Sequence, residues 1–155
     1  MALRPDRLVL EADAHSYTLS DVASRGVGLV YGTAGSGAVI GETHGVVNLA
    51  ANPSGSKFAG ILLNDFVNRD LTYTHLNWYK EEQQIGDVPN VLKKGWVWTD
   101  KLKSGDAPTV GETAYLTANG EFTKTSLGAI ATPAAGEFGG KKDEDGYIKV
   151  VVNLP

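Results

Sequence analysis

The side chains best suited to bind a metal in this sequence are its three histidines, His15, His44 and His75. They are widely spaced, and none belongs to a His-x-x-x-His pair that would place two imidazoles on one helix face. Glu42 is close to His44, but the two would chelate a metal only with ligands from elsewhere in the fold. The chain has no cysteine, which excludes a disulfide, a thiolate nucleophile and a cysteine-based zinc site. We therefore expect no cofactor and no metal.

The acidic residues and serines make an equally weak case for catalysis. The run Asp143-Glu-Asp-Gly146 resembles the start of a calcium loop, but the closing glutamate of an EF-hand is replaced by Leu154. No serine lies in the Gly-x-Ser-x-Gly pattern of a nucleophile elbow. Glu81, Glu82 and Glu112 would form a catalytic carboxylate pair only if the fold happened to bring them together. We predict that the protein is not an enzyme, and a small hydrolase is the third-ranked alternative.

A glycine-rich motif, the net charge and the length of the apolar runs argue against several classes of partner. Gly32-Thr-Ala-Gly-Ser-Gly37 looks like a phosphate loop, but the residues that follow offer neither a helix nor a Lys-Ser or Lys-Thr pair. The formal net charge of -4 disfavours a nucleic-acid groove, which needs a basic stripe. No stretch approaches the roughly 20 apolar residues of a membrane span. We expect neither a nucleic-acid nor a membrane partner.

These side chains are predicted to lie on short strands and the turns between them. A chain of 155 residues with 19 glycines and 6 prolines is typical of one domain rich in turns. The most apolar run begins at Phe58 and indicates a central strand, in which Gly60 suggests a bulge or close approach. Residues 147–154 alternate as in a half-buried strand. We predict an all-β fold, a compact antiparallel β-barrel or sandwich of short strands and hairpins, with residues 26–155 as its single β domain.

An internal repeat organises the middle of the chain. Segment 85–99 aligns without a gap with segment 110–124, and each opens with an apolar residue, a glycine and an acid, which predicts a tight turn. Asn119-Gly120 in the second copy is the strongest short hairpin signal, and Lys94-Gly95 occupies the same place in the first. Both copies are therefore predicted to be hairpins.

The repeat also predicts which side chains face the core. Val91 aligns with Leu116 and Val97 aligns with Phe122, so these four should point into a shared core.

Two tryptophans are predicted on the opposite face of the first copy. Trp96 and Trp98 alternate with the core positions, and their counterparts Glu121 and Thr123 belong in water. Either another segment of this chain or another molecule should cover the two rings. Trp96 and Trp98 are therefore candidate interface residues.

Residues 1–25 are predicted to form an extended N-terminal arm. They show little periodicity and no obvious strand partner, so a floppy terminus is the alternative. Leu8, Leu10 and Ala12 alternate as in an edge strand added to the sheet of another subunit. Leu8 and Leu10 are therefore also candidate interface residues.

Residues 57–154 resemble the capsid cement, or head decoration, proteins of tailed bacteriophages. The resemblance lies in the order and spacing of Phe58-Ala-Gly-Ile-Leu-Leu-Asn-Asp, Ile85-Gly-Asp, Val91-Leu-Lys-Lys-Gly, Val110-Gly-Glu-Thr-Ala-Tyr-Leu, Asn119-Gly-Glu-Phe-Thr and Asp143-Glu-Asp-Gly-Tyr-Ile-Lys-Val.

The resemblance implies a small all-β virion protein, made in the host bacterial cytoplasm. Such a protein binds the outer surface of the icosahedral shell at junctions between major capsid proteins, as a homodimer or homotrimer. The alternative is a carbohydrate-binding or receptor-binding β module of a virion that uses Trp96 and Trp98 as a stacking platform.

Overall fold

Ten β-strands account for the fold in a computed structural model, which describes residues 9–13, 17–32, 45–64, 82–126 and 134–154. The strands are β1 (Val9–Asp13), β2 (Tyr17–Leu19), β3 (Gly28–Tyr31), β4 (Gly45–Asn48), β5 (Phe58–Leu62), β6 (Val91–Thr99), β7 (Thr113–Leu116), β8 (Phe122–Thr123), β9 (Ala134–Phe138) and β10 (Ile148–Asn153). They form one sheet in the order β2-β4-β3-β5-β6-β10-β9-β7-β8, with β1 also paired to β6. Within those ranges, no helix is long and apolar enough to cross a membrane. The all-β prediction is confirmed.

The sheet is mixed and sandwich-like rather than a closed barrel. Strand β2 runs parallel to β4, and every other named pair is antiparallel. Strands β2 and β8 end the order, so the sheet stays open across the described residues. It nevertheless folds over on itself, because Lys93 on β6 reaches Tyr17 on β2 although β4, β3 and β5 lie between them in the sheet.

Strand β6 is the centre of the sheet, and the predicted first hairpin is wrong. Lys94-Gly95 does not turn the chain, because residues 94–99 all pair in register with β10. Gly95 has φ 135° inside this continuous strand, and β1 and β5 also pair with β6. Six ladder pairs outweigh the weak turn preference of a Lys-Gly dipeptide.

The second hairpin is confirmed. Strands β7 and β8 are antiparallel neighbours, and the amide of Thr117 donates to the carbonyl of Glu121 at 2.8 Å. This bond encloses residues 118–120, one more than the two-residue turn expected from the sequence. Asn119 adopts φ 62°, the conformation for which the Asn-Gly signal selects.

The four predicted core positions of the repeat are all fully buried, at 0% exposure. They do not share one core, because Val91 belongs to a smaller cluster with Leu19, whereas Val97, Leu116 and Phe122 belong to the main cluster. Leu92, not Val91, packs with Val97 in the main cluster, so the side-chain alternation of β6 slips by one residue between Leu92 and Val97. Both Val91 and Leu92 are buried, on opposite faces of the strand. A strict two-residue period could not foresee this slip.

More of the first 25 residues pair with the sheet than was expected of an extended arm. Residues 9–13 pair with β6 of the same chain, residues 17–19 pair with β4, and Leu19 is fully buried. The division into an arm of 1–25 and a domain of 26–155 stays a prediction.

Several predicted positions lie outside the described residues. They are Leu8, His15, Glu42, His44, His75, Glu81 and residues 33–37 of the glycine-rich loop.

A threonine hydroxyl joins β6 to the segment before β3. Thr99 is fully buried; its Oγ1 donates to the carbonyl of Gly26 at 3.0 Å and accepts from the amide of Lys101 at 3.1 Å. We predict that Thr99→Val lowers the free energy of unfolding by about 1 to 3 kcal/mol, since two backbone groups lose their partner. Urea unfolding measures this loss. Thr113→Val, at an exposed strand position, is the control and should change stability by no more than about 0.5 kcal/mol; an equal loss would contradict the prediction.

Candidate interaction surface

Trp96 and Trp98 lie on the outward face of β6, as predicted. Both are half-buried and stand opposite Val151 and Lys149 of β10. The ammonium of Lys149 lies 4.3 Å from the centroid of the Trp96 ring, which is cation–π geometry. We call these four residues the tryptophan strip. It combines aromatic and aliphatic side chains with one cation over the Trp96 ring.

The corresponding face of the second repeat is smaller and more polar. Glu121 is half-buried, but Thr123 is only 1% exposed, so its predicted contact with water is wrong. Its hydroxyl donates to the carboxylate of Asp106, which also accepts from the amide of Lys124 at 3.2 Å. The loop that carries Asp106 covers this side of β8.

A tyrosine cluster joins β2, β3 and β6. The rings of Tyr17 and Tyr31 are tilted, with centroids 5.7 Å apart and their hydroxyls 3.2 Å apart. Lys93 donates to the Tyr17 hydroxyl at 2.7 Å. Burial raises the pKa of Tyr17 above its ordinary value of 10.0, so the phenol stays neutral near neutral pH. Sequence reasoning missed this cluster because its members lie on strands far apart in the chain.

The two turns that open the repeat have the same shape, as the sequence predicts. Gly86 and Gly111 have φ 88° and 86°, values that glycine adopts most readily. Each is preceded by an aliphatic residue directed into solvent: Ile85 is 61% and Val110 is 65% exposed. They are the two most exposed large apolar side chains of the described residues. We call Ile85 and Val110 the turn tips.

A groove of about 310 Å³ lies between the segment before β3 and the turn that contains Asn119. Its walls include Val22, Val27 and Leu49, with Glu82, Lys101 and Glu121 among the charged side chains. Its lining therefore mixes apolar and polar surface with charges of both signs.

The candidate carboxylates serve local structure. Glu82 accepts from the Gln84 side chain at 2.7 Å, and Glu112 accepts from the Thr109 amide at 2.7 Å within its own turn. Asp143 accepts from the Tyr147 amide at 2.7 Å in the turn before β10. No group of three or more metal-ligating side chains was found within the described ranges.

The family comparison decides between the classes of protein that such a surface allows. A family model described as structural cement protein (E217 gp24/Pam3 gp6) matches residues 10–153. The chain belongs to this family. No individual curated protein matches it.

The cement family is structural, and its members belong to the phage virion. The resemblance inferred from residues 57–154 is therefore confirmed and extends to the glycine-rich segment and to part of β1. A cement protein acts through its surfaces, which directs attention to the tryptophan strip and the turn tips. Nothing in the match tests whether Trp96, Trp98, Leu8 or Leu10 form an interface, and their roles stay predictions. Leu10 lies within β1, whereas Leu8 precedes the described residues.

Proposed function

We propose that this cement protein binds the outer surface of an icosahedral phage capsid at junctions between major capsid proteins and stabilises the shell. The observation that carries the proposal is the match to a structural cement family over residues 10–153. The partners are the major capsid protein and further copies of this chain, as a homodimer or homotrimer. No catalytic step is part of the proposal, because attachment alone performs the function.

The tryptophan strip is the proposed anchor. Large aromatic side chains dominate binding energy at protein interfaces when a partner excludes water from them. Trp96 and Trp98 are only half-buried, so part of each ring is still available to a partner. One such contact is modest, but several contacts made by one multivalent subunit raise its retention through effective concentration.

The N-terminal residues are the proposed link to a neighbouring copy. In this proposal the arm of residues 1–25, which includes Leu8, crosses onto a neighbouring copy. Leu10 lies in β1, and an arm exchanged between copies would make the same β1–β6 pairing with the neighbour's strand. Exchange of this kind needs no new type of contact.

The sugar-binding alternative is less well supported. A stacking platform needs free aromatic faces, and the ammonium of Lys149 already lies over one face of Trp96. Fluorescence of the tryptophans should therefore be insensitive to oligosaccharides. A saturable change with one sugar would favour the alternative.

Sedimentation of native phage particles tests the function directly. We expect this protein in the capsid fraction in a fixed ratio to the major capsid protein and close to its abundance, because a cement protein occupies a repeating site. Quantitative mass spectrometry of purified particles measures the ratio. Absence from particles, or only a few copies in each, would contradict the proposal and favour a tail-associated role.

A further inference from the structure

The two turn tips are held in the same way. In the first turn, the Gly86 amide donates to the carbonyl of Leu19 at 2.8 Å, and the Leu19 amide donates to the carbonyl of Asp87 at 3.0 Å. In the second turn, Gly111 donates to Phe138 at 2.8 Å and Phe138 donates to Glu112 at 2.9 Å. Each turn is thus fastened to a fully buried strand residue by an identical pair of hydrogen bonds.

The acidic residue closes each turn in the same way as well. The Gln84 amide donates to the Asp87 carboxylate at 3.1 Å, and the Thr109 amide donates to the Glu112 carboxylate at 2.7 Å. A Cβ atom built at Gly86 or at Gly111 would meet no atom of the described residues within 4 Å. Both turns are therefore fixed in position, and their glycines face open space.

The two turn tips lie at different places in the fold, and two alike contacts on one chain are suited to two copies of the same binding site. The first turn is bonded to β2 and the second to β9, which are far apart in the strand order. Neither aliphatic side chain supports the core, since both are more than half exposed. An icosahedral shell presents one coat-protein site many times, so one chain with two copies of a contact element can bridge two coat subunits.

We propose that Ile85 and Val110 insert into the same apolar socket on two neighbouring copies of the major capsid protein. The inference rests on the proposed function and specifies that one chain contacts two capsid subunits. Because each tip is followed by a glycine and a carboxylate, the socket should be apolar with hydrogen-bond donors or a basic side chain at its rim. A socket of this chemistry would accept either tip.

The test uses capsids that lack this protein and the purified full chain, with binding measured by co-sedimentation. Ile85→Ser and Val110→Ser should each weaken binding about tenfold to a hundredfold, and by similar factors, because each removes one buried aliphatic contact. The double variant should bind at least about a hundredfold more weakly than the unaltered protein. Val88→Ser is the matched control, since Val88 is 52% exposed close to the first turn but is not at its tip. It should bind like the unaltered protein.

Three results would overturn the inference. Unchanged binding by both single variants would show that the tips make no contact, and loss in only one would show that they do not share a socket. A changed oligomeric state in sedimentation velocity would show that the tips join copies of this chain instead. Failure of the unaltered protein to bind would refute the proposed function itself, whereas the first two results would leave that function intact.

Discussion

Alanine at Gly60 should destabilise the fold by about 2 to 5 kcal/mol. Gly60 has φ 145°, and an added Cβ would lie 2.4 Å from the carbonyl oxygen of Leu92 and 2.4 Å from Cγ1 of Val91. Backbone strain contributes about 1 to 2 kcal/mol and overpacking about 1 to 3 kcal/mol. A domain of ordinary stability has only about 5 to 15 kcal/mol to lose. Thermal and urea unfolding of Gly60→Ala measure the effect.

Gly55→Ala is the matched control for this substitution. Gly55 also has positive φ, at 72°, but an added Cβ there would meet nothing within 4 Å. Only the strain of about 1 to 2 kcal/mol should therefore appear. Equal losses in the two variants would mean that β5 and β6 move apart to accept the methyl group at little cost.

The combined Trp96→Ala and Trp98→Ala variant should bind capsids about 1,000-fold more weakly or not at all. Loss of tryptophan from the centre of an interface often costs 2 kcal/mol or more, and two such losses multiply in the binding constant. Val97 between them is fully buried and is left unchanged, so the core of β6 is retained. Co-sedimentation with capsids that lack this protein measures the loss.

Tyr115→Ala is the control for the tryptophan strip. Tyr115 is a half-buried aromatic on β7, in the second copy of the repeat. Its loss should leave capsid binding within a few fold of the unaltered protein. Circular dichroism and the melting temperature confirm that each variant is folded. Wild-type binding by a folded tryptophan double variant would assign both rings to packing within the chain.

The alternation of apolar residues predicted the main elements because it reflects a local rule. Phe58 begins a fully buried strand, and residues 148–153 form β10 with alternating burial. The Asn119-Gly120 signal gave a hairpin, since those two residues accept positive φ at little cost. The order of these segments was also enough to identify the cement family.

The first copy of the repeat shows where prediction from local sequence fails. Lys94-Gly95 aligns with a turn but lies inside β6, because the sheet supplies a partner for every residue from Lys94 to Thr99. The same glycine accompanies the slip that separates Val91 from the main core. Identical sequence spacing thus produced a strand in one copy and a hairpin in the other.

The surface was only partly visible in the sequence. Trp96 and Trp98 follow from the two-residue period, but the position of Lys149 over Trp96 depends on the register between β6 and β10. The Tyr17 cluster exists only because the sheet folds β2 back towards β6. Such contacts join residues whose separation along the chain carries no information about their separation in space.

The all-β class, the buried positions of the repeat, the shape of its two opening turns and the cement family could all be predicted from the order of the residues. Each of these depends on residues close together in the chain or on their order along it. Tertiary structure alone decided that β6 is continuous, that residues 9–13 pair with it and that Ile85 and Val110 are held by equivalent hydrogen bonds. Strand pairing satisfies backbone groups across long sequence separations, and this gain overrides weak local turn preferences.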